Sequence, residues 1–163
     1  VLTTLHTNDA VDSALRMIDM GAPGYLVASA VRAVVAQRLV RKVCPDCKTE
    51  DILDDGRQQW LAQRFPNQIT AKFYRGHGCQ NCNLTGYRGR IGVFEMLELE
   101  QKMMDMLRAN DAVGFAREAR QSPTYKPLLA SAMELALEGI VSLDEVMGLG
   151  EGDASGSELA IYI

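Results

Sequence analysis

Long apolar runs are missing from this chain. The longest, Tyr25 to Val35, is broken by Ser29 and Arg32, well short of the roughly 18 residues that a membrane-spanning helix needs. No secretory leader is recognisable at its start, so a disulfide framework is not expected. Aromatic residues make up only 6% of the chain and the net charge is −4. A general nucleic-acid surface needs many phosphate contacts and stacking rings, so this balance argues against one. An initiating Met is also lacking. Val1 to Leu5 already reads as a strand, so the chain is expected to be a fragment with something upstream of it.

What is present is a globular composition. Apolar residues account for 47% of the 163 positions, enough for a real core. Charge is divided unevenly: residues 1–94 carry net +4 and residues 95–163 net −8. Between Met20 and Pro45 there are four basic residues, Arg32, Arg38, Arg41 and Lys42, and no acid. Such a strip can face phosphate or can simply be a solvated face.

The periodicity alternates between strand and helix. After the Val1–Leu5 strand, Asn8 or Asp9 can cap a helix on which Val11, Leu15 and Ile18 recur, with Gly21 ending it. Pro23 opens a second helix, apolar over most of its surface through Val35. Gln37 to Val43 alternates as a strand leading into the first cysteine pair, with a helix continuing to Arg41 as the alternative. Residues 44–86 read as an insert, with turn-like Asp51 to Asp55, a short helix from Gln58 to Phe65 and a short strand from Ala71 to Tyr74. Arg90 to Leu99 reads as a returning strand. Beyond Glu100 the pattern is helical, in four segments: a Met103, Met106 and Leu107 stripe, Val113 to Arg120, Leu128 to Glu138, and Leu143 to Leu149 capped by Ser142. Residues 150–163 are expected to form a mobile tail.

All four cysteines fall in two Cys-x-x-Cys pairs, Cys44/Cys47 and Cys79/Cys82. Two intervening residues let one tight turn present two sulfurs to one ion, and two such turns complete a closed, structural tetrahedral zinc site. Lys48, Asn81 and Asn83, with turn amides, are candidates to donate to the thiolates. His77 lies two residues before Cys79, but four cysteines already fill the shell. Four free thiols or a redox pair are the alternatives, and the matched spacing favours zinc. The ion supplies folding free energy to an insert with little core of its own.

His6 follows the first strand. Strand ends are where ligands bind in open α/β sheets, and a histidine there can donate to a phosphate or orient a water. A histidine satisfied by local backbone fits the same position.

At the level of motifs, Val1-Leu-Thr-Thr-Leu-His6-Thr-Asn-Asp-Ala10 resembles the histidine box of the secretion ATPase superfamily. Ala36-Gln-Arg-Leu-Val-Arg-Lys-Val-Cys-Pro-Asp-Cys47 resembles the segment that follows in its type II secretion and type IV pilus assembly branch. Gly78-Cys-Gln-Asn-Cys82 and Thr85-Gly-Tyr-Arg-Gly-Arg-Ile-Gly-Val-Phe-Glu95 complete that branch's tetracysteine signature. Glu138 to Val146 is similar to the family's helical ending.

The resemblance implies an α/β fold: the C-terminal part of a RecA-like P-loop ATPase core (1–43), a tetracysteine zinc insert (44–86), a core strand (87–99), a helical subdomain (100–149) and a tail (150–163). It implies a parent that is a hexameric cytoplasmic ATPase at the inner membrane, using ATP and magnesium to power pilin or pseudopilin assembly. Its partners would be a membrane platform protein and a cytoplasmic-membrane adaptor, with no nucleic acid. His6 would be the histidine-box residue, sensing the γ-phosphate or placing water. Gln37, Arg38 and Arg41 would lie near nucleotide; Arg88 and Arg90 would either contact it or tie the insert to the core.

No Gly-x-x-x-x-Gly-Lys-Ser/Thr loop occurs in the 163 residues. That loop cradles the phosphates and supplies the lysine and the magnesium-binding hydroxyl, so the fragment alone is expected to hydrolyse no ATP. The competing reading is a stand-alone zinc-stabilised interaction module.

Overall fold

The chain is seen in a computed structural model that describes residues 2–5, 7, 9–150 and 159–162. The elements run β1 (Leu2–Leu5), α1 (Ala10–Asp19), α2 (Gly24–Ala30), β2 (Ala33–Val43), β3 (Lys48–Asp51), α3 (Asp55–Arg64), β4 (Phe73–Gly76), β5 (Tyr87–Glu98), α4 (Gln101–Arg108), α5 (Ala112–Gln121), α6 (Leu128–Leu137), α7 (Leu143–Gly150) and β6 (Leu159–Tyr162). The class is mixed helix and strand, as expected. A four-stranded sheet has the order β1-β6-β2-β5, and β3 pairs with β4 in a separate antiparallel ribbon. β6 is antiparallel to both β1 and β2. Residues 159–162, placed by the sequence in a mobile tail, are thus a strand of the sheet.

Two compact units emerge. The first gathers Val1–Leu39, Gly92–Ser131 and Gly152–Ile163, and the second Val40–Ile91 and Ala132–Glu151. β2, β5 and α6 therefore contribute residues to both.

In the first unit, α1 is built as its periodicity predicts. Asp9 is the cap, its Oδ1 accepting the Asp12 N–H at 2.7 Å, and Ala10, Val11 and Ala14 are buried. α2 ends sooner than predicted. Val31 is already extended and β2 starts at Ala33. Val31, Val34 and Val35 are β-branched; their stiff side chains suit a pleated surface better than a helix. The core here includes Val27, Val34, Val93, Leu97, Met103, Leu107 and Phe115, all nearly free of solvent.

Glu95 is the unusual member of this unit. Its side chain is buried, 2% exposed, on β5. Its Oε1 accepts the Ala10 N–H at 2.8 Å and the Tyr125 hydroxyl at 3.0 Å, and its Oε2 accepts the Leu128 N–H at 3.0 Å. Ala10 and Leu128 are the first residues of α1 and α6, so one carboxylate satisfies an orphan amide at the positive end of each helix. Burial nevertheless raises its pKa above the ordinary carboxylate value, the three donors offsetting only part of that effect.

The second unit has its own core of Val40, Val43, Leu61, Phe73, Met133, Val141, Leu143 and Val146. β3 was not visible in the sequence, because Lys48, Thr49 and Glu50 are all polar and exposed; only pairing with Gly76, Arg75 and Tyr74 makes them a strand. Asp51 ends that strand with its side chain fully buried. It is held by Arg57, whose Nη1 is 2.7 Å from Oδ2, and by Arg75, whose Nε is 3.4 Å from Oδ1. The Arg75 approach is an ion pair without hydrogen-bond geometry. α3 is capped by Asp54, whose carboxylate accepts the Arg57 N–H at 2.9 Å.

Candidate metal centre and flanking basic residues

Each cysteine pair sits on a 3₁₀ turn, Pro45–Cys47 and Gln80–Cys82. Pro45 fixes its own backbone for the first turn, and the left-handed Asn83 and Leu84 reverse the chain after the second. The Cys44 amide donates to the Gly86 carbonyl at 2.9 Å and the His77 amide to the Cys47 carbonyl at 3.2 Å, locking one turn to the other. Gly86 is required there. Its φ is +77°, and a Cβ would lie 2.4 Å from the Gly76 carbonyl oxygen.

The result is a four-sulfur cluster. The Sγ atoms of Cys44, Cys47, Cys79 and Cys82 all lie within 4.8 Å of one another. Three edges are 3.9 Å (Cys44–Cys79), 3.9 Å (Cys47–Cys82) and 3.7 Å (Cys79–Cys82). Four sulfurs at the usual zinc–thiolate distance form a tetrahedron with edges of about 3.8 Å. The donor set and its dimensions therefore fit a four-thiolate metal ion. His77 is not part of the cluster.

Electrostatics within the cluster are uneven. Cys82 is buried, which raises a thiol, yet the amides of Cys79 and Gly86 donate to its sulfur at 3.2 and 3.3 Å and hold it at about 6. Burial pushes Cys47 up to about 12 and raises Cys79. An ion would favour the thiolate at all four positions. Among the side chains expected to donate to sulfur, Asn81 turns instead to Asp46, at 3.1 Å, and Lys48 lies over the Tyr74 ring, 4.4 Å from its centroid. The turn amides, the other donors expected, do reach sulfur, those of Cys79 and Gly86 at Cys82.

The residues expected near nucleotide are divided between the two units. Gln37 and Arg38 are half-buried on the part of β2 that belongs to the first unit, and Arg41, Arg88 and Arg90 belong to the second. Arg41 has its guanidinium 4.1 Å above the Tyr87 ring and its Nη2 2.6 Å from Glu145 Oε1; its backbone amide also donates to that carboxylate at 2.8 Å. The Glu145 hydrogen bond raises the Arg41 pKa further. Arg41 and Arg90 line one open cavity of about 230 Å³ with Thr85, Tyr87 and Gly89. Arg88 lies elsewhere, 3.3 Å from Asp46 inside the first cysteine turn. His6 lies outside the described residues.

Asp46, Tyr87 and Glu145 were not singled out in the sequence. All three sit within quoted motifs, and a carboxylate between two cysteines was a usable sign. Glu145 joins Arg41 across 104 positions, which no local pattern reveals.

A family model described as type II/IV secretion system protein matches residues 1–148. The type IV pilus assembly ATPase TfpB of Acinetobacter baylyi is 35% identical over 147 residues, 90% of this chain and 25% of the relative. The type II secretion system ATPase E of Vibrio cholerae is also 35% identical over 147 residues, covering 90% and 29%. The type IV pilus assembly ATPase PilB of Pseudomonas aeruginosa is 34% identical over 149 residues, covering 90% and 26%. The chain thus spans between a quarter and a third of each relative's length.

Proposed function

Given that the chain belongs to the type II/IV secretion system protein family, we propose that it is the C-terminal part of a hexameric ATPase that powers pilin or pseudopilin assembly. The observation that carries this reading is the family match over residues 1–148, together with relatives named as pilus and secretion ATPases that align with 90% of the chain. The free-standing module has no such support.

Within the parent, the fold would be the second part of a RecA-like core, at the cytoplasmic side of the inner membrane, working with a platform protein and an adaptor. ATP and magnesium would bind mainly through the loop that this chain lacks. His6 would sense the γ-phosphate or hold the attacking water, a task suited to imidazole. Gln37, Arg38, Arg41 and Arg90 would face nucleotide. Arg41 is suited to this because Tyr87 and Glu145 hold its planar fork in place while it stays half-exposed. For Arg88, the Asp46 pairing supports the structural reading: it ties β5 to the first cysteine turn.

Zinc would be held by Cys44, Cys47, Cys79 and Cys82. It would supply no chemistry to the reaction; with no open position, a four-thiolate centre fixes structure.

Magnesium-dependent phosphate release tests this. The full-length parent should turn over ATP, its His6→Ala variant should lose at least about a hundredfold, the lower end for a general acid–base group, and the isolated 163-residue chain should release none. Turnover by the isolated chain, or a parent indifferent to His6→Ala, would contradict the reading.

A further inference from the structure

A second cleft in the Val40–Ile91 and Ala132–Glu151 unit is used by neither the cysteine cluster nor the Arg41–Arg90 cavity. Lys42, Lys48 and Arg88 stand around a volume of about 530 Å³ whose apolar wall is Val43, Ile91 and Ile140. No acidic side chain lines it.

That lack of acid is selective. Elsewhere in this unit several cations are paired, Lys72 with Glu50, Arg41 with Glu145, and Arg57 with Asp51, Asp54 and Asp144, while Arg64 lies over the Trp60 ring. Lys42 forms no ion pair among the described residues, in a chain whose net charge is −4. Lys48 meets the face of Tyr74 rather than a carboxylate. Arg88 uses one nitrogen, Nη1, on Asp46 at 3.3 Å, leaving the rest of its guanidinium fork. The wall beside Lys48 is kept low by Gly139, at φ +69°, where a Cβ would fall 2.5 Å from Lys48 Nζ and 2.7 Å from Tyr74 Cδ2. Any other residue there would displace the ammonium.

Three cations around a cleft with one apolar wall suit a ligand that is anionic at one end. A carboxylate offers two oxygens and one charge. A phosphoryl group offers three oxygens and close to two charges, and pairs well with both a guanidinium fork and point-charge ammoniums. The volume is that of a small-molecule site, larger than phosphate alone, so the apolar wall would receive the remainder of the molecule. We propose that this cleft binds the phosphoryl group of a phosphate ester, through Lys42, Lys48 and Arg88. The cleft shares no lining residue with the Arg41–Arg90 cavity, and the proposal stands or falls independently of the proposed ATPase role.

The zinc-loaded chain is titrated with inorganic phosphate at low salt, with acetate as comparator, by calorimetry or amide chemical shifts. Saturable phosphate binding, stronger than acetate, is expected. Lys42→Ala/Lys48→Ala should weaken it by about tenfold or more, Lys42→Arg/Lys48→Arg should preserve it, and Lys72→Ala should leave it unchanged, all with equal zinc content. A second arm adds vesicles of phosphatidylcholine with or without phosphatidic acid, whose headgroup is a phosphate monoester. Co-sedimentation that depends on the anionic lipid and is lost in the double alanine variant assigns a lipid headgroup; phosphate binding without sedimentation assigns a soluble ester. Absence of saturable phosphate binding, acetate binding as tight as phosphate, or binding unchanged by the double alanine variant overturns the proposal.

Discussion

Glu95 Oε1 lies 2.8 Å from the backbone nitrogen of Ala10, a residue 85 positions earlier in the chain. The same carboxylate reaches Leu128 and Tyr125, so β5, α1, α6 and the segment before α6 meet at one buried charge. Replacing it with alanine leaves two helix-terminal amides and a phenol hydroxyl without partners. Glu95→Ala is expected to destabilise by about 3 kcal/mol, from the desolvation cost of orphaned polar groups, read as a fall in the urea midpoint at constant slope.

The same residue sets a pH dependence. Burial raises its folded pKa above the ordinary glutamate value, so the folded state holds the proton more tightly than the unfolded one. The associated stability is fully present below the unfolded value and is lost as pH rises through the folded one. Comparing wild type with Glu95→Gln isolates it: from pH 4 upward, wild type should lose stability relative to the variant and then level off. A constant difference across that window would contradict burial as the dominant influence.

Asp51 makes a second buried-charge prediction. Its side chain is fully buried and Arg57, 16% exposed, is its hydrogen-bonded partner. Arg57→Ala leaves the carboxylate with only the 3.4 Å approach of Arg75 and is expected to cost about 3 kcal/mol. Asp51→Asn combined with Arg57→Gln should cost less than Arg57→Ala alone. Thermal melts of the three proteins decide it.

These two carboxylates show where sequence legibility stops. The α1 cap, the stripe on α4 and both cysteine turns were readable because each depends on residues within four positions of one another. β3 was not, since three polar residues become a strand only when β4 lies beside them. The early end of α2 was missed because an apolar run has the same composition in helix and strand, and the β-branched choice at Val31, Val34 and Val35 was the overlooked sign. Glu95 read as the end of a quoted motif and one position of the returning strand, with nothing to mark it as buried. Its partners Ala10, Tyr125 and Leu128 are brought together by the fold, as is Glu145 beside Arg41. The four cysteines were legible as one cluster, and the structure brings their sulfurs together; which arginines share a cavity was not legible.

Arg41 allows function and stability to be separated. The guanidinium is 56% exposed, and exposed ion pairs contribute about 0.5 kcal/mol. Arg90→Ala should leave the melting temperature of the parent nearly unchanged, while Arg41→Ala, which leaves the 14%-exposed Glu145 with only the Arg41 backbone amide, should cost about 1 kcal/mol. Both should lower kcat/KM for ATP by about tenfold or more, as loss of a charge-assisted contact does. Normal turnover in both variants would remove the shared Arg41–Arg90 cavity from the nucleotide site.

The account depends most on the four sulfurs acting as one closed zinc centre that organises the insert. Zinc X-ray absorption on the purified chain, with metal content measured on the same sample, tests this most directly. It should give one zinc per chain, with a shell of four sulfurs at about 2.3 Å, and Cys44→Ser or Cys82→Ser should abolish both the stoichiometric metal and the cooperative unfolding of the insert. A chain that folds fully without metal, or a shell containing nitrogen or oxygen in place of one of the four sulfurs, would contradict it.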